Sequence, residues 1–255
     1  MQPFGPLLKQ WRGQRRMSQL ALCEAAEVST RHLSCLENGK AAPSRQMVLV
    51  LGSALDLPLR DRNDLLQAAG FTAAYGARDL EGPEMAAVRE ALDFVLARFE
   101  PNPALVVDTA YRTLAMNTAA ARLSAVFLDP DPELAAIADN AMHVLFHPKG
   151  LRRWIVNWDR IGAMTLDRMQ REALRDPQVS GALLAEIQRY PDLPEPAALP
   201  GTDVLVPIHL ARGELSLRFA LLLTTLGSAV DVTAQELTVE TYFPLDEATA
   251  EWLST

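Results

Sequence analysis

Ser18 opens a stretch of 23 residues, SQLALCEAAEVSTRHLSCLENGK, that restricts the fold of this chain more than any other segment. It contains two runs of helical spacing, one after Ser18 and one after Ser29. A serine in such a place accepts hydrogen bonds from the first free backbone N–H groups of a helix. The second run stops at Asn38-Gly39, because glycine permits the left-handed backbone that often ends a helix. The segment therefore predicts two short helices joined by a tight turn.

The predicted pair of helices has the features of a DNA-binding helix-turn-helix motif. Leu22, Leu33 and Leu36 fall on the faces that would pack together. Cys23 or Ala26 supplies the small side chain that a close helix crossing needs. The second helix then presents polar residues at its N-terminal end, which is the end that enters the major groove in such motifs. The alternative is a chance pattern, or a motif adapted to protein contacts.

The charge distribution favours an anionic partner for this part of the chain. Residues 1–45 contain seven Lys or Arg and three acidic residues, a net charge of +4, although the 255-residue chain carries −8. The remainder therefore carries −12, and this asymmetry indicates two domains with different partners. Cys23 and Cys35 form neither a disulfide framework nor a zinc site by themselves. We expect a reduced, cytoplasmic protein without a signal peptide or membrane span.

Hydrophobic spacing divides the chain into a helical head and a mixed body. Five short helices are predicted within residues 4–70, and a longer helix at 83–100 ends before the PNP sequence. The predicted fold class is an all-α five-helix domain followed by an α+β domain with an antiparallel sheet. The predicted elements of the body are a hairpin of strands at 104–108 and 112–117, helices at 117–127, 132–146, 150–175 and 178–190, a four-proline loop at 190–201, strands at 203–211, 215–226 and 236–244, and a last helix after Asp246.

Motifs of catalysis are missing from the body. It has no P-loop, no GxGxxG, no GxSxG and no HExxH. His143 and His147 have the i, i+4 spacing of a metal-binding pair, but Pro148 ends the predicted helix and no carboxylate pattern accompanies them. Packing or capping is the favoured interpretation of both histidines. We expect no catalytic residue, no cofactor and no metal site.

The segment 142–160, MHVLFHPKGLRRWIVNWDR, has the composition of a pocket for an amphiphilic molecule. It combines large apolar side chains with Arg152, Arg153 and Asn157. Such a pocket needs an apolar wall and a few placed polar groups. The alternative is an ordinary helix core with a solvated arginine face.

The head resembles the helix-turn-helix domain of the phage-repressor or XRE class of bacterial regulators over residues 4–70. The resemblance is carried by the Gln that opens the second helix, by Leu-x-x-x-Ala within it, by Val-Ser at the turn and by LENG at the end of the third. It implies a phosphate contact for Gln19, a site where a helix N-terminus also favours an anion. Glu27 stands where the family usually has Gly, and a positive φ there costs about 1 kcal/mol. The DNA contacts predicted are Gln19, Ser29, Thr30, Arg31, Ser34, Cys35, Lys40 and Arg45.

The sequence allows two roles for Arg31 and two for Cys35. Arg31 is either a guanine reader or a solvated surface arginine. Cys35 is either a small groove contact or a redox-sensitive thiol, although the sequence shows no resolving partner.

The whole chain resembles the MmyB-like transcription regulators. The matching pieces include PNPALVVD, LFHPKGLRRWIVNW, ELSLRFALLLTTLG and VDVTAQELTVETYFP, in order. The resemblance implies a PAS-like C-terminal domain with a five-stranded antiparallel sheet and a cavity for a fatty acid or similar acyl ligand. The ligand contacts predicted are Met142, Phe146, His147, Arg152, Asn157, Trp158 and Arg168.

Together, these features predict a bacterial one-component transcription regulator. We expect a DNA-binding domain at 1–75, a linker and coupling helix at 76–100 and a ligand-binding domain at 101–255. A single helix-turn-helix reads too few base pairs to be selective, so a homodimer on a near-palindromic double-stranded operator is expected. The alternatives are a ligand-free dimerisation or interaction module on a DNA-binding head, and an enzyme that acts on an acyl compound.

Overall fold

A computed structural model describes residues 2–195 and 205–255. The chain divides into two compact units. The first contains the residues up to Met85 together with Gly227–Gln235, and the second contains Ala86–Leu226 and Glu236–Thr255. A segment from late in the sequence therefore belongs to the N-terminal unit.

Five helices form the N-terminal part of the first unit, as the spacing predicts. Serines cap three of them, because Ser18, Ser29 and Ser44 each accept a hydrogen bond from a backbone N–H three residues later. Their core is apolar, and Leu22, Leu33 and Leu36 are fully buried. The helices are α1 (Phe4–Gln14), α2 (Gln19–Ala26), α3 (Thr30–Glu37), α4 (Arg45–Ala54) and α5 (Leu59–Ala68).

The second unit is built on an antiparallel sheet of five strands among the described residues, in the order β2-β1-β5-β4-β3. It confirms the predicted fold class. The strands are β1 (Ala104–Val107), β2 (Thr113–Met116), β3 (Ile208–Arg212), β4 (Leu215–Thr225) and β5 (Thr238–Pro244). The helices are α6 (Ala86–Phe99), α7 (Thr118–Phe127), α8 (Pro132–Ala135), α9 (Ala141–Phe146), α10 (Trp158–Arg175), α11 (Ser180–Ile187) and α13 (Glu247–Ser254), whereas α12 (Val232–Gln235) belongs to the first unit.

Two predicted long helices are interrupted, and the prediction of continuous helices was wrong there. The helix at 132–146 is divided into α8 and α9 because Asn140 caps α9 and donates to the Ala110 carbonyl at 2.8 Å. The helix at 150–175 is divided into a 3-10 turn at Leu151–Trp154 and α10 because Ile155 forms a bridge with Leu210 of β3.

Smaller differences concern the ends of elements. The helix predicted at 83–100 begins with a 3-10 turn at Pro83–Met85. The strand predicted at 203–211 begins at Ile208, and its residues 203 and 204 lie outside the described residues. The predicted four-proline loop at 190–201 lies outside them from residue 196 onward. The short helix α12 was not predicted.

Candidate functional sites

The turn between α2 and α3 has a left-handed backbone at Glu27, where the family usually has glycine. This residue has φ 53° and ψ 40°, which is the left-handed region, and its N–H donates to the carbonyls of Cys23 and Glu24. A non-glycine residue there costs about 1 kcal/mol. Glu27 therefore makes the turn that glycine usually makes, with Ser29 starting α3 two residues later.

The third helix has one buried face and one polar face. Leu33, Leu36 and Glu37 are buried, whereas Thr30 and Arg31 at its start are exposed. Ser34 and Cys35 are half-buried, and Ser29 is exposed. The exposed N-terminal end of α3 is therefore free of the core and has the chemistry expected of a helix that enters a groove.

A buried carboxylate fixes the position of α3 against α1 and α2. Glu37 receives two hydrogen bonds from Arg12, Nε to Oε1 at 2.6 Å and Nη2 to Oε2 at 3.0 Å. Gln19 adds a third, from Nε2 to Oε2 at 2.7 Å. Burial raises the pKa of Glu37, but these hydrogen bonds and the nearby positive charges outweigh burial, so its pKa lies below the ordinary value.

This arrangement shows what sequence reasoning missed in the head. Arg12 and Glu37 were not singled out, since nothing local indicates that residues 25 positions apart would meet. It also gives Gln19 a structural role besides the predicted phosphate contact. Its side-chain amide nitrogen, which would donate a hydrogen bond to a phosphate, already donates one to Glu37. Of the other predicted contacts, Lys40 is exposed, and Arg45 is half-buried with its Nη1 donating to the Thr72 carbonyl at 2.7 Å.

A cavity of about 270 Å³ lies in the second unit. This volume is near the lower end of the range of about 300–1,000 Å³ that is typical of ligand pockets. The wall is mainly aliphatic, with side chains from both sheet and helices that include Leu105, Met116, Leu123, Met142, Leu210 and Leu221.

The polar part of this wall contains a buried carboxylate, Glu240 of β5, which is 2% exposed. Its Oε2 accepts a hydrogen bond from the Tyr242 hydroxyl at 3.1 Å, and its Oε1 has no hydrogen-bond partner among the described residues. Burial raises the pKa of Glu240 above its ordinary value, with a further contribution from the Glu172 charge. The positive charge of Arg168 and the Tyr242 hydrogen bond oppose this change without cancelling it.

Arg168 of α10 lines the same wall. Its guanidinium carbon lies 5.5 Å from the centroid of the Tyr111 ring, and its Nε is buried without a hydrogen-bond partner among the described residues. Glu240 Oε1 and Arg168 Nε are therefore a buried acceptor and a buried donor without partners, an arrangement that is costly for the folded state.

A second cavity of about 220 Å³ shares Arg168 and Glu240 with the first. Its described lining residues include three further acidic residues, Asp108, Glu172 and Glu236. The Tyr111 hydroxyl donates to Glu172 at 2.9 and 3.1 Å, and burial raises the pKa of Tyr111. Glu240 and Arg168 therefore lie between an apolar chamber and an acidic one.

Two of the predicted ligand contacts, Met142 and Arg168, line the apolar cavity. The other five are not among its described lining residues, because their side chains have other contacts. Phe146 packs edge-on against Trp158 at 5.2 Å, and His147 packs against Tyr190 at 5.3 Å. Arg152 Nη1 donates to the Pro191 carbonyl at 2.7 Å, and Asn157 Nδ2 donates to the Pro207 carbonyl at 2.8 Å.

The segment that contains these five still borders the cavity. Its aliphatic members Leu145, Leu151 and Ile155 supply the wall instead of its polar and aromatic members. Glu240 was not predicted as a site residue, because nothing in the sequence of the predicted strand at 236–244 indicates that this glutamate is buried.

His143 and His147, whose spacing is that of a metal-binding pair, both contact other side chains of the protein. His143 Nδ1 lies 2.8 Å from the Tyr190 hydroxyl, and its Nε2 lies 3.2 Å from Glu186 Oε2. His147 Nε2 lies 3.9 Å from Glu133 Oε2. Within the described residues, no group of three or more His, Cys, Asp or Glu has the arrangement of a metal site. No helix among them is long and apolar enough to cross a membrane.

A helix-turn-helix head and a sheet domain with an apolar cavity are the features of a class of transcription regulators that pair DNA binding with ligand binding. Residues 88–255 match the family model described as MmyB-like transcription regulator ligand binding domain. Residues 3–65 match the model described as helix-turn-helix domain. The chain belongs to the MmyB-like transcription regulator family, which confirms the predicted resemblance.

Among solved structures, the chain is similar to an RNA-binding Light-Oxygen-Voltage receptor at 12% sequence identity and a TM-score of 0.28. The match covers 97% of this chain and 62% of the receptor chain, so this chain spans less than two thirds of the receptor's length. No curated protein matches the sequence.

Proposed function

We propose that the protein binds a near-palindromic DNA operator as a homodimer and that a small apolar or acyl ligand, such as a fatty acid, controls this binding. The observation that carries the proposal is the apolar cavity whose wall also includes the polar residues Glu240 and Arg168, in a chain that also carries the exposed end of α3. Such a cavity suits a molecule with an apolar body and one polar end.

The DNA contacts are proposed to lie along α3 and its flanks. Thr30, Arg31 and Cys35 face the bases, since an arginine on such a helix can hold guanine through two hydrogen bonds. Ser29, Ser34, Lys40 and Arg45 are proposed to contact the backbone, together with Gln19. A dimer doubles the number of base pairs read, and its two-fold symmetry requires two half-sites.

Control by the ligand requires that the two states of the protein differ in ligand affinity. We propose that the helix at 83–100 and the segment Gly227–Gln235 carry this difference. The segment connects β4 to β5, two strands that contribute Leu221, Glu240 and Tyr242 to the cavity, and it belongs to the first unit. There the Gln235 side-chain oxygen accepts a hydrogen bond from the Leu59 N–H, at the start of α5, at 2.7 Å.

The test begins with the full chain purified from cells and analysed by native mass spectrometry before and after organic extraction. We expect a co-purified small apolar molecule, and we expect extraction to change affinity for a DNA selected from a random pool. Analytical ultracentrifugation with and without that DNA measures the oligomeric state. A strictly monomeric protein on DNA would contradict the dimer. A native mass equal to that of the protein alone would favour a ligand-free interaction module. Turnover of an added acyl compound would favour an enzyme.

A further inference from the structure

The helix α6 has one face packed against its own domain and one face open to solvent. Leu92 and Leu96 are each 5% exposed, and the Leu96 carbonyl accepts a hydrogen bond from Asn117 Nδ2 at 3.3 Å. At the end of the helix, the Phe99 ring packs edge-on against Phe243 of β5, with 6.0 Å between the centroids. The inner face of α6 is therefore occupied by the second unit itself.

The opposite face of α6 is an apolar surface with small neighbours around one ring. Phe94 is 61% exposed, and it lies opposite the buried face because it is two residues from both Leu92 and Leu96 and a helix turns about 100° per residue. The exposed positions around it include three alanines, Ala87, Ala91 and Ala97. A solvent-facing side of a helix is ordinarily charged or polar. A large ring beside small residues instead suits packing against a second helix, whose backbone can approach closely.

Two charged residues of this face lie symmetrically about Phe94. Glu90 precedes the ring by four residues and Arg98 follows it by four, and both are exposed. In an antiparallel pair of α6 helices centred on Phe94, Glu90 of each copy therefore meets Arg98 of the other copy. In a parallel pair each charge would meet the same charge, which costs free energy.

Within one copy, the Arg98 side chain already covers part of this ring. Its guanidinium carbon lies 4.9 Å from the centroid of Phe94. This contact holds the guanidinium beside the ring, where its planar set of N–H groups can donate to a carboxylate on a facing helix. The charge that would meet Glu90 of a second copy therefore lies at the edge of the apolar surface.

We propose that a second copy of the chain docks on this face of α6, with the two helices antiparallel and centred on Phe94. The inference rests on the proposed function, because it names the surface of the homodimer proposed there. A two-fold interface uses the same patch on both copies, so a patch that is complementary to itself fits a second copy. The docking surface comprises Ala87, Glu90, Ala91, Phe94, Ala97 and Arg98.

The size of the docking surface determines how the dimer should behave. One helix face is small compared with the roughly 1,200–2,000 Å² buried in a standard interface. We therefore expect weak association of the free chain and much stronger association on DNA with two half-sites, which hold the copies close together. The quantity to measure is cooperativity, which is the affinity for a two-half-site DNA selected from a random pool relative to the same DNA with one half-site scrambled.

Exchanging the two charges tests the pairing. Glu90→Arg and Arg98→Glu each place like charges opposite one another in both contacts of the pair, so we expect each to reduce cooperativity by about fivefold. The double variant restores opposite charges and should regain wild-type cooperativity. Glu214→Arg makes the same change of charge as Glu90→Arg at an exposed residue of the second unit, so it corrects for the general effect of charge on DNA affinity.

Disulfide cross-linking in a Cys35→Ser background tests the direction of the helices, since the other cysteine, Cys23, is buried. Chains with Ala91→Cys are mixed with chains with Ala97→Cys and oxidised. Antiparallel helices should give mostly links between different chains, whereas parallel helices would give mostly links between identical chains, and peptide mass spectrometry distinguishes the two. A predominance of identical links, or no link at all, would overturn the proposed arrangement.

The DNA measurements separate the failure of this inference from the failure of the proposed function. Cooperative binding that persists unchanged in both single variants would overturn the docking surface but leave a homodimer in place. A double variant as impaired as the single variants would likewise overturn the charge pairing. A chain that binds the selected DNA strictly as a monomer would contradict both the docking surface and the proposed homodimer.

Discussion

The Asp231 carboxylate accepts a hydrogen bond from Arg78 Nη1 at 2.9 Å, although 153 residues separate them in the sequence. Asp231 is 4% exposed, and its Oδ1 also caps the start of α12 through the Thr233 N–H at 3.0 Å. The Val232 N–H donates to the Gly76 carbonyl at 2.7 Å. These contacts hold the segment Gly227–Gln235 within the first unit, although in the sequence it connects β4 to β5 of the second unit.

Removing the arginine of this pair should reduce the effect of ligand on DNA binding. Arg78→Ala leaves Asp231 as the cap of α12, and the Arg78 side chain is about half exposed, so we expect a loss of stability below about 1 kcal/mol. The ratio of DNA affinities with and without ligand should fall toward one, while ligand affinity stays the same. Fluorescence anisotropy with labelled operator measures the ratio. Arg189→Ala, an exposed change on the other unit, should leave the ratio unchanged.

Arg31→Ala should weaken specific DNA binding by about 1–3 kcal/mol, which is roughly 5- to 150-fold, because an arginine that reads guanine contributes about that much discrimination. Arg31 is exposed at the start of α3, so the helical head should stay folded. Competition with nonspecific DNA gives the specific part of the loss. Arg175→Ala removes the same charge from exposed surface in the second unit. Equal footprints for wild type and Arg31→Ala would contradict a base-reading role.

The head should lose stability in acid because of Glu37. Its pKa is below the ordinary value in the folded state, so its contribution is present above the unfolded pKa of about 4.3 and is lost as pH falls through the folded pKa. Urea unfolding followed by circular dichroism between pH 2 and pH 7 measures this change. Glu37→Gln leaves Arg12 without its charge partner and should cost about 3 kcal/mol at pH 7. Glu24→Gln, on an exposed position of α2, should behave like wild type.

Glu240 should have the opposite effect on the second unit. Its folded pKa is raised, so stability is highest below the unfolded pKa and falls as pH rises through the folded pKa. Glu240→Gln removes the titrating group, and its unfolding free energy should exceed that of wild type at neutral pH and vary less across this range. Differential scanning calorimetry over pH 4 to pH 9 measures both effects. A wild-type profile as flat as that of the variant would mean that Glu240 is ionised without cost.

Local sequence patterns were sufficient to predict most of the helices and strands. The capping serines Ser18 and Ser29 predicted the starts of two helices correctly, since a cap depends on neighbours three residues away. The interruption of two predicted helices was not foreseeable in this way, because Asn140 bonds to Ala110 and Ile155 pairs with Leu210. These partners are brought together by the tertiary fold, and helical periodicity carries no information about them.

The same difference between local patterns and long-range contacts explains which residues of the candidate sites the sequence predicted. The polar start of α3 follows from the sequence of one helix, whereas the Arg12–Glu37 pair joins two helices. Glu240 is buried because β5 lies between β1 and β4, a pairing of distant segments. The sequence predicted that the segment 142–160 contributes to a pocket, but the choice between its aliphatic and polar side chains depends on the tertiary fold.

The position of β5 in the sheet has a consequence for biosynthesis. This strand is central in the sheet but is the last of the five described strands to leave the ribosome, since it covers Thr238–Pro244, whereas the five helices of the head end at Ala68. Domains generally fold in order of synthesis, at about 5–20 residues per second. The cavity wall therefore closes roughly 10–35 seconds after the head has been translated. During that interval a nascent chain has α3 but has neither Glu240 nor α12, so the cavity is completed only after the five helices of the head.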